Sequence, residues 1–165
     1  MKNIVLIGMP SCGKSTFGVI LARDYAMSFV DTDITIQETA SDSLQNIINS
    51  QGVEKFKEYE REAGLKAAKL NNTVIATGGS MVYYDDVMQE LKKSSGIVYI
   101  RTPFDMLVKR CSNFSKRGIV LSSQQTFRSL FDERTPLYEQ YADYIVENNK
   151  SYNDTLSELG FVVTE

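Results

Sequence analysis

The chain is predicted to be an α/β protein with a central five-stranded parallel sheet covered on both faces by helices. Three observations carry this. Short apolar, β-branched runs alternate with longer helical patterns, the order that builds parallel sheets from strand–helix–strand units. A glycine-rich segment ending in Gly13-Lys14-Ser15 stands between the first strand and the first helix. The length of 165 residues, with 42% hydrophobic and 24% charged content, suits one ordinary domain spanning 1–165.

Each element follows from its local pattern. Asn3 to Ile7 reads as a buried strand, Lys14 to Tyr25 as a helix and Ser28 to Val30 as a short strand. A long helical region from about Ile34 to Leu70 is broken near Ser41 and Gly52. Thr73 to Ala76 is β-branched and apolar, hence a strand. Asp85 to Lys93 reads as a helix, Ile97 to Ile100 as a strand, and Phe104 to Cys111 as a helix with Pro103 in its first turn. Residues Asn113 to Ser123 are polar and irregular. Gln124 to Tyr141 reads as a helix with a break near Pro136, Tyr144 to Val146 as the last strand, and Asn153 to Leu159 as a terminal helix.

Composition excludes several function classes. The net charge of -3 argues against a nucleic-acid partner. No histidine is present, so a Ser-His or Cys-His triad and a histidine-ligated zinc site are both excluded. The two cysteines, Cys12 and Cys111, form neither a disulfide framework nor a metal spacing, which points to a reduced, cytoplasmic setting. The apolar run Ile4 to Ile7 is too short for a signal segment or a membrane span.

Gly8-Met9-Pro10-Ser11-Cys12-Gly13-Lys14-Ser15 fits the phosphate-loop pattern G-x-x-x-x-G-K-S/T in the strand-to-helix context that pattern requires. Gly8 and Gly13 let the backbone turn so that its N–H groups face phosphate oxygens, and the helix start adds a positive dipole end. Lys14 reaches the outer phosphates, and Ser15 offers its hydroxyl to Mg²⁺. ATP and Mg²⁺ are thus the expected cofactors, with Ser11, Cys12 and Thr16 completing the loop. Cys12 reads as a small loop residue, with a thiol activated by the helix start as the alternative.

Asp31-Thr32-Asp33 ends the second strand. Two carboxylates there can divide the work, one holding the metal or its water and the other accepting a proton from a substrate hydroxyl; a helix cap plus a solvated acid is the bland alternative.

With the phosphate loop and D-T-D together, the chain resembles the shikimate kinases, a family with the nucleoside-monophosphate-kinase-like fold. Further stretches fit in order. Phe56-Lys57-Glu58-Tyr59-Glu60 resembles that family's F-R-x-x-E, and Ala76-Thr77-Gly78-Gly79-Ser80 its A-T-G-G-G. Arg110 resembles the arginine against the adenine, Arg117 the lid arginine, and Arg134-Thr135-Pro136-Leu137-Tyr138 the R-x-P-x-Y segment. The resemblance implies ATP-dependent phosphorylation of shikimate to shikimate 3-phosphate. Asp33 would be the base, Asp31 and Ser15 would sit at Mg²⁺, and Lys57, Arg134, Gly78 and Gly79 would hold substrate. Lys14 and Arg117 would stabilise the transferring phosphoryl group. It further implies a substrate-binding helical region at about 32–62, a mobile lid at about 112–123, and a monomer.

The chain departs from that family at several points. Ser11 replaces a loop glycine, which is acceptable if its φ is negative. Lys57 replaces an arginine and cannot form the flat two-bond fork to a carboxylate. Arg61, one helical turn on, is read either as a helper for that carboxylate or as a solvated arginine. Ser80 replaces the last glycine of the turn, and Gly118 replaces a lid proline. Phe17, Phe29 and Tyr99 read as core. Phe56 is read as core or as substrate wall, and Tyr83 and Tyr84 as packing residues with a substrate contact as the alternative. Two other readings stay open: a kinase for another hydroxy acid such as gluconate, and a non-catalytic nucleotide-binding regulator.

Overall fold

The structure, a computed structural model, describes residues 2–111 and 124–164. In chain order the elements are β1 (Asn3–Ile7), α1 (Lys14–Asp24), β2 (Ser28–Asp31), α2 (Thr32–Ala40), α3 (Leu44–Gln51), α4 (Val53–Ala67) and β3 (Thr73–Ala76). A single 3-10 turn (Met81–Tyr83) leads to α5 (Asp85–Ser94), followed by β4 (Ser95–Arg101), α6 (Phe104–Arg110), α7 (Phe127–Tyr141), β5 (Tyr144–Glu147) and α8 (Tyr152–Thr164). The five strands form one sheet in the order β2-β3-β1-β4-β5 with every pairing parallel. Helices flank the sheet, as the alternating pattern predicts.

β1 is the central strand, with Val5 registered on Ile75 of β3 and on Ile97 of β4. A strand covered on both faces has no polar side to show, which is why all five of its residues are buried. The chain leaves β1 towards β2 on one side, and β4 lies on the other. The phosphate loop after β1 therefore opens at the point where the strand order reverses, where open parallel sheets bind ligands.

A second, smaller apolar cluster of Ile36, Leu44, Ile47, Phe56 and Ala63 joins α2, α3 and α4. It gives the helical region beside the sheet its own core and fixes the face of α4 that looks into the site. The breaks read at Ser41 and Gly52 are present as left-handed or positive-φ residues, at φ 53 and 86. Side-chain caps open α2 (Asp31), α3 (Ser43) and α7 (Thr126).

Three local expectations need correction. Pro103 is the cap before α6 rather than a residue of its first turn. Pro136 lies inside α7 without ending it. Pro136 and Asp132, whose carbonyl loses its partner, are both exposed, so water can satisfy the freed group. α8 runs on through Gly160 to Thr164. That glycine accommodates Tyr25, whose hydroxyl would be 2.5 Å from a β-carbon there. Among the described residues no helix is long and apolar enough to cross a membrane.

Candidate active site

The phosphate loop spans the gap from Ile7 to Lys14, with Gly8, Ser11 and Gly13 at φ 146, 70 and 100. Ser11 thus fails the condition set for it: it occupies the left-handed region that glycine takes at no steric cost. Its hydroxyl is also buried without a hydrogen-bond partner among the described residues. Lys14 is buried and folds back over the loop, donating to the Gly8 and Met9 carbonyls at 2.9 Å each and to Cys12 Sγ at 3.6 Å. Asn148, just after β5, ties the loop down by donating to the Cys12 carbonyl at 2.9 Å and to Thr102 Oγ1 at 3.0 Å. Pro10, Ser11, Gly13, Lys14, Ser15 and Thr16 face a cavity of about 1100 Å³; Gly8 and Cys12 are not on its wall.

Asp31 ends β2 and caps α2. Its Oδ1 accepts from the Asp33 N–H at 3.0 Å, and its Oδ2 accepts from the Ser15 hydroxyl at 2.5 Å. The cap half of the bland alternative therefore describes Asp31, whereas Asp33 is no solvated acid. Burial, and then the neighbouring Asp31 charge, push the Asp33 carboxyl up to about 7, against the pull of Lys14, with Glu60 adding to the rise. Thr32 is buried, and its Oγ1 accepts from the Gly78 N–H at 3.0 Å, which locks the end of β3 to the start of α2.

The Gly78-Gly79 turn lies between the acidic and basic sides of the cavity. A β-carbon on Gly78 would stand 2.9 Å from Asp33 Oδ1, and one on Gly79 2.9 Å from Arg134 Nη1 and 3.0 Å from Pro10. Only glycine lets these groups approach so closely. Tyr138, fully buried on α7, donates its hydroxyl to the Gly79 carbonyl at 2.6 Å.

Arg134 is 4% exposed and makes no ion pair among the described residues. Its guanidinium lies 5.3 Å from the Tyr83 ring centroid, and its Nε donates to the Tyr83 hydroxyl at 3.4 Å. A buried guanidinium that no salt bridge neutralises is costly, so a site that holds one is suited to an anionic ligand. Lys57 reaches the cavity wall but is half exposed and pairs with Glu54 at 3.1 Å. Such a surface pair contributes about 0–1 kcal/mol, too little to commit Lys57 to it. Arg61 pairs with Asp86 and is not on the cavity wall, which favours its reading as a surface arginine. Phe56 is both buried and a wall residue, while Tyr83 and Tyr84 both line the cavity.

At the far end Arg110, the last residue of α6, faces the cavity with Asn148, Lys150 and Tyr152. Tyr152 stacks on Phe17 with centroids 5.0 Å apart. Arg117 lies outside the described residues. The 148–152 segment escaped the sequence reading, although its position after the carboxyl end of β5 was a usable signal. In the sequence Glu60 stands out only as part of a motif. It is buried, and burial raises its carboxyl pKa, against hydrogen bonds from Ser80 and Tyr84 and the charges of Arg134 and Lys57. No spacing rule pairs it with Ser80 or Tyr84.

The donor set fits the expected cofactors. The helix N-terminus and Lys14 suit a polyphosphate. The Ser15 hydroxyl and Asp31 carboxylate supply the hard oxygens Mg²⁺ prefers, and Mg²⁺ otherwise keeps water and phosphate ligands. Among the described residues there is no cluster of three or more His, Cys, Asp or Glu that would form an all-protein metal site.

Comparison with known proteins agrees with this geometry. The shikimate kinase family model matches residues 10–160. A shikimate kinase of Clostridium botulinum strain Eklund 17B is 32% identical over 164 residues, covering 99% of this chain and 98% of that one. Among solved structures, the shikimate kinase of Acinetobacter baumannii in complex with shikimate superposes with a TM-score of 0.90 at 26% identity, covering 99% of this chain and 94% of that one. The shikimate kinase of Aquifex aeolicus gives 0.86 at 28% identity, over 98% and 96%. With a family match over most of its length and a fold shared end to end, the chain belongs to the shikimate kinase family.

Proposed function

We propose that this protein transfers the γ-phosphoryl group of ATP to a hydroxyl of shikimate. The observation that carries the reading is one cavity holding three things: a phosphate loop, a carboxylate (Asp33) beside it, and, across the Gly78-Gly79 turn, a buried guanidinium (Arg134) with no ion pair among the described residues.

Each part has a task. The loop and the start of α1 hold the phosphates, and Lys14 leaves the Gly8 and Met9 carbonyls for the outer phosphate oxygens. Ser15 and Asp31 would hold Mg²⁺, which would supply positive charge to offset that of the phosphates. Arg134 and Lys57 take the acceptor's carboxylate and so aim its hydroxyl at Asp33. Asp33 accepts the hydroxyl proton as the oxygen bonds to the γ-phosphorus. The bond from that phosphorus to the bridging oxygen breaks, and ADP leaves with the electron pair. Most of the rate comes from positioning and electrostatics, which these residues supply. Arg110, Lys150 and Tyr152 line the same cavity and are suited to the base end of the nucleotide.

The test is an acceptor panel with Mg²⁺-ATP, in which phosphorylated products of shikimate, gluconate and related hydroxy acids are separated and quantified. Phosphorylation of shikimate far above the others is expected. Preference for another hydroxy acid would overturn the acceptor and leave the kinase assignment. Phosphorylation of none of them, with ATP bound, would support a nucleotide-binding regulator.

A further inference from the structure

Tyr83 ends the 3-10 turn Met81–Tyr83 that follows the Gly78-Gly79 turn. Met81 and Val82 are buried and anchor that turn, whereas Tyr83 is 43% exposed and stands on the cavity wall. Burial accounts poorly for so exposed a ring, and its polar contacts reach across to α7. The hydroxyl meets two consecutive residues there: it donates to Glu133 Oε1 and accepts from Arg134 Nε at 3.4 Å. The Arg134 guanidinium also lies 5.3 Å from the Tyr83 ring centroid.

The direction of these bonds is fixed. A hydroxyl carries one proton. Glu133 takes that proton, so Tyr83 offers Arg134 only a lone pair. Gln125 Nε2 in turn donates to Glu133 Oε2 at 3.1 Å, which steadies the carboxylate. An arginine can grip a carboxylate with two parallel bonds along either of two edges: side-on, through Nε and one terminal nitrogen, or end-on, through both terminal nitrogens. The single Nε proton of Arg134 is held by Tyr83, which leaves the end-on edge. Nη1 on that edge stands beside the glycine turn, 2.9 Å from where a β-carbon on Gly79 would be.

We propose that Tyr83 is a positioning residue that holds Nε of Arg134 and so turns the end-on edge of the guanidinium to the carboxylate of the acceptor. The inference rests on the acceptor reading above. It gives Tyr83 a task that is neither packing nor direct contact with the acceptor. Lysine at position 57 cannot form a flat fork, so Arg134 supplies the two-bond grip, and its orientation sets how the acceptor hydroxyl meets Asp33.

The experiment measures steady-state kinetics with shikimate and Mg²⁺-ATP for the wild type, Y83F, R134A and Y83F/R134A, each checked for a native melting transition. Y83F keeps the ring and removes the hydroxyl. KM for shikimate is expected to rise about tenfold, with kcat and KM for ATP within about twofold of wild type. In the R134A background the same substitution should change kcat/KM for shikimate by less than about twofold, because nothing is left for the hydroxyl to hold. An unchanged KM for shikimate in Y83F overturns the proposal. So does a Y83F effect of equal size with and without Arg134, since the hydroxyl would then act on the acceptor directly or through the fold. A rise shared equally by KM for shikimate and KM for ATP overturns it too. A wild type without shikimate-dependent turnover overturns the acceptor reading itself, and this proposal falls with it.

Discussion

The Ser15 hydroxyl donates to Asp31 Oδ2 at 2.5 Å, joining the first turn of α1 to the last residue of β2. The contact sets two oxygen donors side by side at the mouth of the phosphate loop. Asp31 also caps α2, and asparagine caps a helix about as well as aspartate. D31N is therefore expected to keep its melting temperature while raising the Mg²⁺ concentration for half-maximal rate about tenfold. A Mg²⁺ titration of the rate at fixed ATP measures this, and an unchanged requirement would remove Asp31 from the metal.

Asp33 has two separable consequences. In its proposed role of proton acceptor it must be ionised, so kcat/KM of the wild type is expected to climb with pH and level off above about 7. D33N should lose about a thousandfold in kcat with ATP binding intact. Stability moves the other way. The folded carboxyl keeps its proton between its ordinary value of 3.8 and about 7, where the unfolded chain has released it. Wild-type stability therefore falls as pH rises through that window. D33N should gain on the order of 4 kcal/mol at pH 8 and nothing at pH 4, read by melting at both pH values.

Much of this was legible beforehand, for identifiable reasons. The phosphate loop and β1 carry strong local signals, and Ser41 and Gly52 mark real breaks because the chain there needs a positive φ. Where tertiary structure overrode local signals, the reading slipped. The terminal helix, read as ending at Leu159, runs on to Thr164 past Gly160, which makes room for Tyr25. β4 begins at Ser95 because Ser95 and Gly96 pair with Asn3 and Ile4, which no apolar pattern announces. The contacts of Glu60 with Ser80 and Tyr84 span 20 and 24 residues, so sequence periodicity cannot reach them.

Ser11 combines a left-handed backbone with a buried hydroxyl that has no hydrogen-bond partner among the described residues. Glycine would relieve both, offset in part by the greater freedom it gives the unfolded chain. S11G is expected to stabilise by about 1 kcal/mol, a rise in Tm of about 2–4 °C. A lower Tm would mean that Ser11 is not strained.

Tyr138 holds the Gly79 carbonyl from inside the core. Y138F leaves that carbonyl without its donor, at a cost of about 1–3 kcal/mol. It should also raise KM for shikimate more than KM for ATP, because the turn it anchors lies beside Arg134. Equal effects on the two constants would show that the turn does not serve the acceptor.

The most direct test of the account is ADP release from Mg²⁺-ATP with and without shikimate, in the wild type and in R134A. The account predicts strong shikimate-dependent release in the wild type. In R134A, KM for shikimate should rise about a hundredfold with little change in KM for ATP. ADP release indifferent to shikimate, in protein that binds ATP, would contradict it.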